Sequence, residues 1–231
     1  MTTLPQIRPH EPNDYVVLLH GLGRTSRSMR ALERTLSSQF RVINIGYPAR
    51  KYRIERLAEY VGSKIRQCCP DEKRKIHFVA HSLGGIVLRY YLKQNHLPNV
   101  GRAVMLGPPN QGSELADIFR KTALSGVLFE IVTGPAGPQL GAESSSVPNR
   151  LGPVNFCLGV ITGNGSVDPI FSRLIPGADD GRVSVERAKV RGMADFLAVP
   201  QHHTFIMNNS KVIEQVVFFL KNGKFKKEQF Q

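Results

Sequence analysis

In the run Ala80-His81-Ser82-Leu83-Gly84-Gly85, the positions two before and two after Ser82 are alanine and glycine. An apolar, strand-forming stretch at 75–80 comes directly before it, and a nearly all-apolar helical pattern at 85–92 follows. A serine on so tight a strand-to-helix turn has its hydroxyl pushed out at the carboxyl edge of a sheet, placed to attack an acyl carbon. Small flanking residues are required because neighbouring backbone leaves no room for larger side chains. Ala80 stands where glycine is usual, which keeps the size and gives up some backbone freedom. The following helix would turn its N-terminal amides toward an oxyanion formed at Ser82.

Such a serine needs two oxyanion donors, a base and an acid. One donor is the amide after the nucleophile, Leu83. The other belongs to a loop after an earlier strand, and His20-Gly21-Leu22-Gly23 supplies Leu22. His20 reads as a structural histidine that holds this loop. A dinucleotide-binding reading of Gly21-Leu22-Gly23 fails at the third glycine, where Ser26 stands. The base should come late in the chain, and the histidines beyond His96 are His202 and His203. They lie between the last strand and the last helix; His203 is preferred, as the one suited to pack under that helix. The acid belongs in Gly177-Ala178-Asp179-Asp180-Gly181-Arg182-Val183. Asp180 is favoured because Gly181 gives it a tight turn, with Asp179 as the alternative. Asp168, before Pro169, and Asp195, at the approach to the last strand, are weaker candidates.

The elements that must position these groups are legible as apolar strands at Tyr15–Leu19, Arg41–Ile45, 75–80, Val100–Leu106, 156–161 and 196–199. Unbroken apolarity, rather than alternation, marks strands covered on both faces. Helical spacing recurs between them: Met29, Leu32 and Leu36; then Ile54, Leu57, Ala58, Val61 and Ile65; and finally Val212, Ile213, Val216, Val217 and Leu220. Asn209 or Ser210 would cap the last helix and Gly223 would end it. Strands alternating with helices predict an α/β fold with a mostly parallel sheet and helices on both faces. The rhythm breaks at 107–153, which holds seven glycines and six prolines with two weakly helical pieces, at 115–121 and 124–132. One domain with a cap or lid inserted at about 112–150 is the economical organisation.

The 231 residues are 41% hydrophobic and 21% charged, and no apolar run reaches the roughly 18 residues of a membrane span. The first residues lack an apolar targeting core, so the expectation is a cytoplasmic protein. Cys68, Cys69 and Cys157 form neither a disulfide framework nor a metal spacing. Lys and Arg exceed Asp and Glu by 31 to 18, a net charge of +13. That field would attract anionic lipid or acidic substrates. Nucleic acid is not expected, since the basic residues lack aromatic interleaving or a recognisable motif.

The chain resembles the bacterial lipase and esterase branch of the α/β-hydrolase superfamily. The resemblance rests on Val17-Leu18-Leu19-His20-Gly21-Leu22-Gly23, Val79-Ala80-His81-Ser82-Leu83-Gly84-Gly85, Leu106-Gly107-Pro108-Pro109-Asn110-Gln111-Gly112-Ser113, Asp179-Asp180-Gly181-Arg182-Val183 and His203-Thr204-Phe205. It implies an α/β-hydrolase fold and a Ser82–His203–Asp180 triad that cleaves a small-molecule or lipid acyl ester, with no metal or organic cofactor. In that family an Asp-Gly-x-Val segment carries the acid, which supports Asp180, and the spacing from the base to Val212 supports His203. Leu124, Val127, Leu128, Phe129, Ile131 and Val132 would line an acyl pocket. The rivals are an acyltransferase or thioesterase with the same triad, and a non-catalytic module of this fold binding a membrane or partner.

Overall fold

The structure, a computed structural model, describes residues 14–120, 129–165 and 175–226. Six strands, β1 (Tyr15–Leu19), β2 (Arg41–Ile45), β3 (Ile76–His81), β4 (Val100–Leu106), β5 (Leu158–Gly163) and β6 (Asp195–Val199), form one sheet in the order β2-β1-β3-β4-β5-β6. Every pairing is parallel. Because side chains alternate across a strand, β1 feeds two cores. Val16 and Leu18 pack with α1 (Arg30–Leu36) and α7 (Ser210–Asn222), while Val17 and Leu19 pack with α2 (Ile54–Cys68) and α3 (Leu83–Gln94). Both faces are covered, which is why the strands read as unbroken apolar runs. β5 begins two residues later than its apolar pattern, since the register with β4 opens at Ala103 opposite Leu158.

The helices follow their apolar faces. In α2 the buried stripe is Ile54, Leu57, Ala58, Val61 and Ile65. In α7 it is Val212, Ile213, Val216, Phe219 and Leu220; Asn209 Oδ1 accepts from Val212 N at 3.1 Å, and Gly223, at φ 74°, closes the helix. α3 is buried almost all round, including Arg89. Its guanidinium donates to Asn110 O at 2.8 Å, Asn110 Oδ1 at 3.2 Å and Gly152 O at 2.6 Å. Burial lowers its pKa to about 10, so it stays charged at neutral pH and ties the loop after β4 to the turn at Gly152.

Between β4 and β5 lie α4 (Glu114–Arg120), a helical segment at 129–133, a 3₁₀ turn at Pro138–Leu140 and α5 (Val147–Leu151). The first helical piece expected here overlaps α4. The second lies mostly outside the described residues. After β5, the described residues hold a further short helix, α6 (Val185–Ala188), before β6. Among the described residues no helix is long and apolar enough to cross a membrane.

Candidate active site

Ser82 sits between β3 and α3 with φ 52° and ψ −122°, and among the described residues it alone is a non-glycine at positive φ. Such a conformation costs on the order of 1–3 kcal/mol and persists because its surroundings over-determine it. Ser82 N donates to Leu106 O at 2.9 Å, and Ser82 O accepts from Gly85 N at 2.9 Å. Gly84 is where size decides: a Cβ there would lie 2.7 Å from the carbonyl oxygens of both Leu19 and His20.

His203 follows β6 and is anchored by its own amide, which donates to Asp180 O at 2.8 Å. Its Nδ1 lies 2.8 Å from Asp180 Oδ2 and its Nε2 lies 2.9 Å from Ser82 Oγ. Asp180 is 1% exposed, and its other oxygen accepts from the amides of Arg182 at 3.0 Å and Val183 at 2.9 Å. One carboxylate oxygen is thus held by the backbone and the other meets the imidazole. An Nδ1–H donated to that oxygen leaves the Nε2 lone pair facing the serine hydroxyl. Gly107, at φ 54°, lets backbone lie against the pair, since a Cβ there would be 2.9 Å from His203 Nδ1 and 3.0 Å from Asp180 Oδ2.

The other candidates are elsewhere or differently engaged. Asp179 Oδ1 accepts from Gly181 N at 2.6 Å, bracing the turn that presents Asp180. Asp195 opens β6 and accepts from the amides of Phe196 and Phe225. Asp168 lies outside the described residues. His202 packs its ring edge-on against Phe205.

The loop carrying Leu22 rests directly on the serine turn, for a Cβ on Gly21 would be 3.1 Å from Ser82 Cβ. His20 holds it: Nδ1 hydrogen-bonds to Gly21 O at 3.0 Å, Nε2 accepts from Tyr47 N at 3.3 Å, and the ring stacks on Tyr47. The Tyr47 hydroxyl donates to His20 O. Burial lowers the His20 pKa and raises that of Tyr47, so both rings are neutral packing and hydrogen-bonding groups. Leu83 opens α3, where a first-turn amide has no intrahelical acceptor. The sequence offered little sign of Tyr47 beyond an aromatic residue just past β2.

His81 also escaped the motif reading, which treats its position as variable. Its Nε2 donates to His203 O at 3.1 Å, tying the His203 loop to β3, the strand that leads into Ser82. Burial, and then the nearby His203, hold its pKa well below the usual histidine value, so the ring is neutral.

Ser82 and His203 open into a cavity of about 250 Å³. Its lining includes Leu22, Arg24 and Thr204, the apolar residues Leu115, Ala116, Phe129, Val132 and Leu140, and Arg182 and Val183. Of the apolar residues expected in an acyl pocket, Phe129 and Val132 line the cavity and Ile131 is 66% exposed. Leu124, Val127 and Leu128 lie outside the described residues. Among the described residues, no group of three or more His, Cys, Asp or Glu side chains is placed to share a metal ion. The three cysteines are free thiols, and burial raises the pKa of Cys69 to about 12.

Residues 15–135, just over half of the chain, match the family model described as palmitoyl protein thioesterase. The match includes Leu22 and Ser82 and ends before Asp180 and His203. No curated protein matches the chain. The fold is similar to that of the mature lipase BlEst2 of Bacillus licheniformis, with a TM-score of 0.72 and 18% identity, covering 93% of this chain and 94% of that one. It is also similar to the esterase RhEst1 of Rhodococcus sp. (TM-score 0.59, 15% identity, 94% of each chain). Phospholipase PlaB of Legionella pneumophila matches at a TM-score of 0.60 and 17% identity, over 77% of this chain and 46% of that one. At these identities the likeness is one of fold.

Proposed function

Because the chain belongs to the palmitoyl protein thioesterase family, within the α/β-hydrolase superfamily that its motifs resemble, we propose that it cleaves carboxylic esters through an acyl-enzyme on Ser82. The observation that carries this reading is the continuous contact from Asp180 Oδ2 through both ring nitrogens of His203 to Ser82 Oγ, at 2.8 and 2.9 Å. Ser82 Oγ attacks the ester carbonyl carbon as its proton passes to His203 Nε2. The amides of Leu22 and Leu83 hold the oxyanion, a contribution of about 10²–10³ in rate for each such donor. Collapse breaks the bond to the leaving oxygen, and His203 returns the proton to it, releasing the alcohol. Water then attacks the acyl-serine, gives its proton to His203, and the carboxylic acid leaves as Ser82 regains its hydrogen. Asp180 orients the imidazole and stabilises its charged form. No step calls for a metal or organic cofactor.

The segment at about 112–150 is assigned as a cap on one hydrolase domain, shaping the acyl side of the cavity. Support comes from Leu115, Phe129, Val132 and Leu140, which all line it. The net charge of +13 and the exposed Phe205 and Ile131 favour acyl esters presented at an anionic lipid surface.

The family match favours a second reading, in which the leaving group is a thiol. The acyl-enzyme is the same, and a thiolate leaves with less help from His203. Hydrolysis of p-nitrophenyl esters across acyl lengths, beside matched acyl thioesters, ranks the two. Ser82→Ala should abolish both activities and labelling by a fluorophosphonate. Turnover that survives Ser82→Ala would remove the catalytic assignment. Added alcohol as competing acceptor separates hydrolysis from acyl transfer.

A further inference from the structure

His203 must reach the leaving oxygen to protonate it, so the groups beside His203 face the departing alcohol. The apolar part of the lining, Leu115, Ala116, Phe129, Val132 and Leu140, suits the acyl chain. On the leaving side stands Arg24, half-buried on the loop that carries Leu22. Its guanidinium donates to Thr204 O, next to His203, over a long 3.4 Å. Its charge also helps hold His81 neutral, which puts the guanidinium near the serine turn.

Two other arginines of this fold are satisfied from within. Buried Arg89 donates to three oxygens, and Arg187 pairs with Glu114 at 2.8 Å. Arg24 has neither solution among the described residues: no ion pair involves it, and no Asp or Glu lines the cavity. Arg182 adds a second positive charge to the lining. A half-desolvated guanidinium facing a reaction site without a counter-charge is a built preference for an anion, and its planar fork matches a phosphate or carboxylate.

We propose that Arg24 selects acyl esters whose leaving alcohol carries a phosphate-type anion. This inference rests on the ester-hydrolase reading of Ser82 and names its substrate class. The bonds made and broken are those already given; the released alcohol simply retains its phosphate.

The test compares a short-chain 1-acylglycerol with the same 1-acylglycerol 3-phosphate, dispersed as monomers. The wild type should prefer the phosphate-bearing ester by about tenfold or more in kcat/KM, through KM. Arg24→Gln should bring the ratio close to one, and Arg24→Lys should leave an intermediate value. Raising salt from about 0.05 M to about 0.5 M should shrink the wild-type ratio. Glycerol 3-phosphate should inhibit p-nitrophenyl ester hydrolysis competitively, about tenfold less well in Arg24→Gln. This arm decides the matter if neither acylglycerol is a substrate. Long-chain versions of the pair in neutral phosphatidylcholine vesicles identify the source. A preference confined to vesicles assigns a lipid headgroup, and one already present with monomers assigns a soluble phosphate ester. Equal wild-type rates on the pair both as monomers and in vesicles, with Ser82-dependent turnover, overturn the inference alone, as does inhibition that Arg24→Gln leaves unchanged. Absence of all ester turnover and of fluorophosphonate labelling removes the hydrolase reading, and this inference with it.

Discussion

At one part of the cavity wall, Ser82 and His203, with the buried Asp180 bonded to His203, stand on loops packed so closely that glycine is the residue that fits at several neighbouring positions. A Cβ on Gly84 would strike two backbone carbonyls, one on Gly107 would strike the His203–Asp180 pair, and one on Gly163 would lie 1.9 Å from Gln201 O. At another part, Leu115, Phe129, Val132 and Leu140 come from the irregular stretch between β4 and β5, and Val132 is 56% exposed. The first part is positioned by backbone against backbone, which neither repacks nor relaxes cheaply. The second presents side chains that can be exchanged without moving the chain beneath them. On the proposed reading, chemistry resides where the fold is least forgiving, and substrate choice where it is most so.

Substitutions at the two parts should separate accordingly. The largest effect is expected at Asp180→Asn, which removes the acceptor that fixes the imidazole tautomer; kcat should fall by about 10⁴ while the fold persists. Asp179→Asn, one residue away, should act mainly on the stability of its turn, and equal losses in kcat from both would erase the distinction between them. Gly84→Ala comes next: overpacking against Leu19 O and His20 O should cost about 2 kcal/mol in urea unfolding and displace the Leu22 loop, lowering kcat as well.

Acid should loosen the rigid wall first. Above about pH 6.5 the buried, pKa-lowered His81 is neutral whether the chain is folded or not. Below that pH the unfolded chain takes up a proton that the buried ring resists, so stability falls as pH falls. The slope reaches about 1.4 kcal/mol per pH unit for each such group, and His20 acts in the same direction. Urea unfolding between about pH 7.5 and about pH 5 measures this slope, and His81→Gln should reduce it. A pH-independent stability across that window would contradict the account of both histidines. The smallest effect belongs to the apolar wall. Val132→Ser should leave stability within about 0.5 kcal/mol and lower kcat/KM for long-chain relative to short-chain esters by about threefold.

Much of the scaffold was legible because its signals are local and periodic. Strands buried on both faces cannot hide their apolarity, and α2 and α7 carry one-sided stripes. The stretch from Gly107 to Pro153 was opaque for the opposite reason. Gln139 accepts from Ile54 N at 2.7 Å, Asp117 accepts from Ala142 N at 2.8 Å, and Asn149 donates to Ala142 O at 3.0 Å. Single side-chain-to-backbone bonds of this kind leave no period to read. Arg89 was hidden as well, since an arginine within an apolar helix gives no sign that carbonyl oxygens from two distant loops converge on it.

The sequence by itself determined the strand and helix order, the serine turn with its small neighbours, and the short set of residues able to serve as base and acid. Side-chain chemistry and spacing along the chain suffice for those. Tertiary structure decided which carboxylate of Asp179 and Asp180 reaches His203, that His81 ties the His203 loop to β3, and that Arg24 faces the cavity with no acidic partner among the described residues. Each depends on direction in space between residues far apart in the chain, and adjacent residues in a turn point in different directions that composition does not encode.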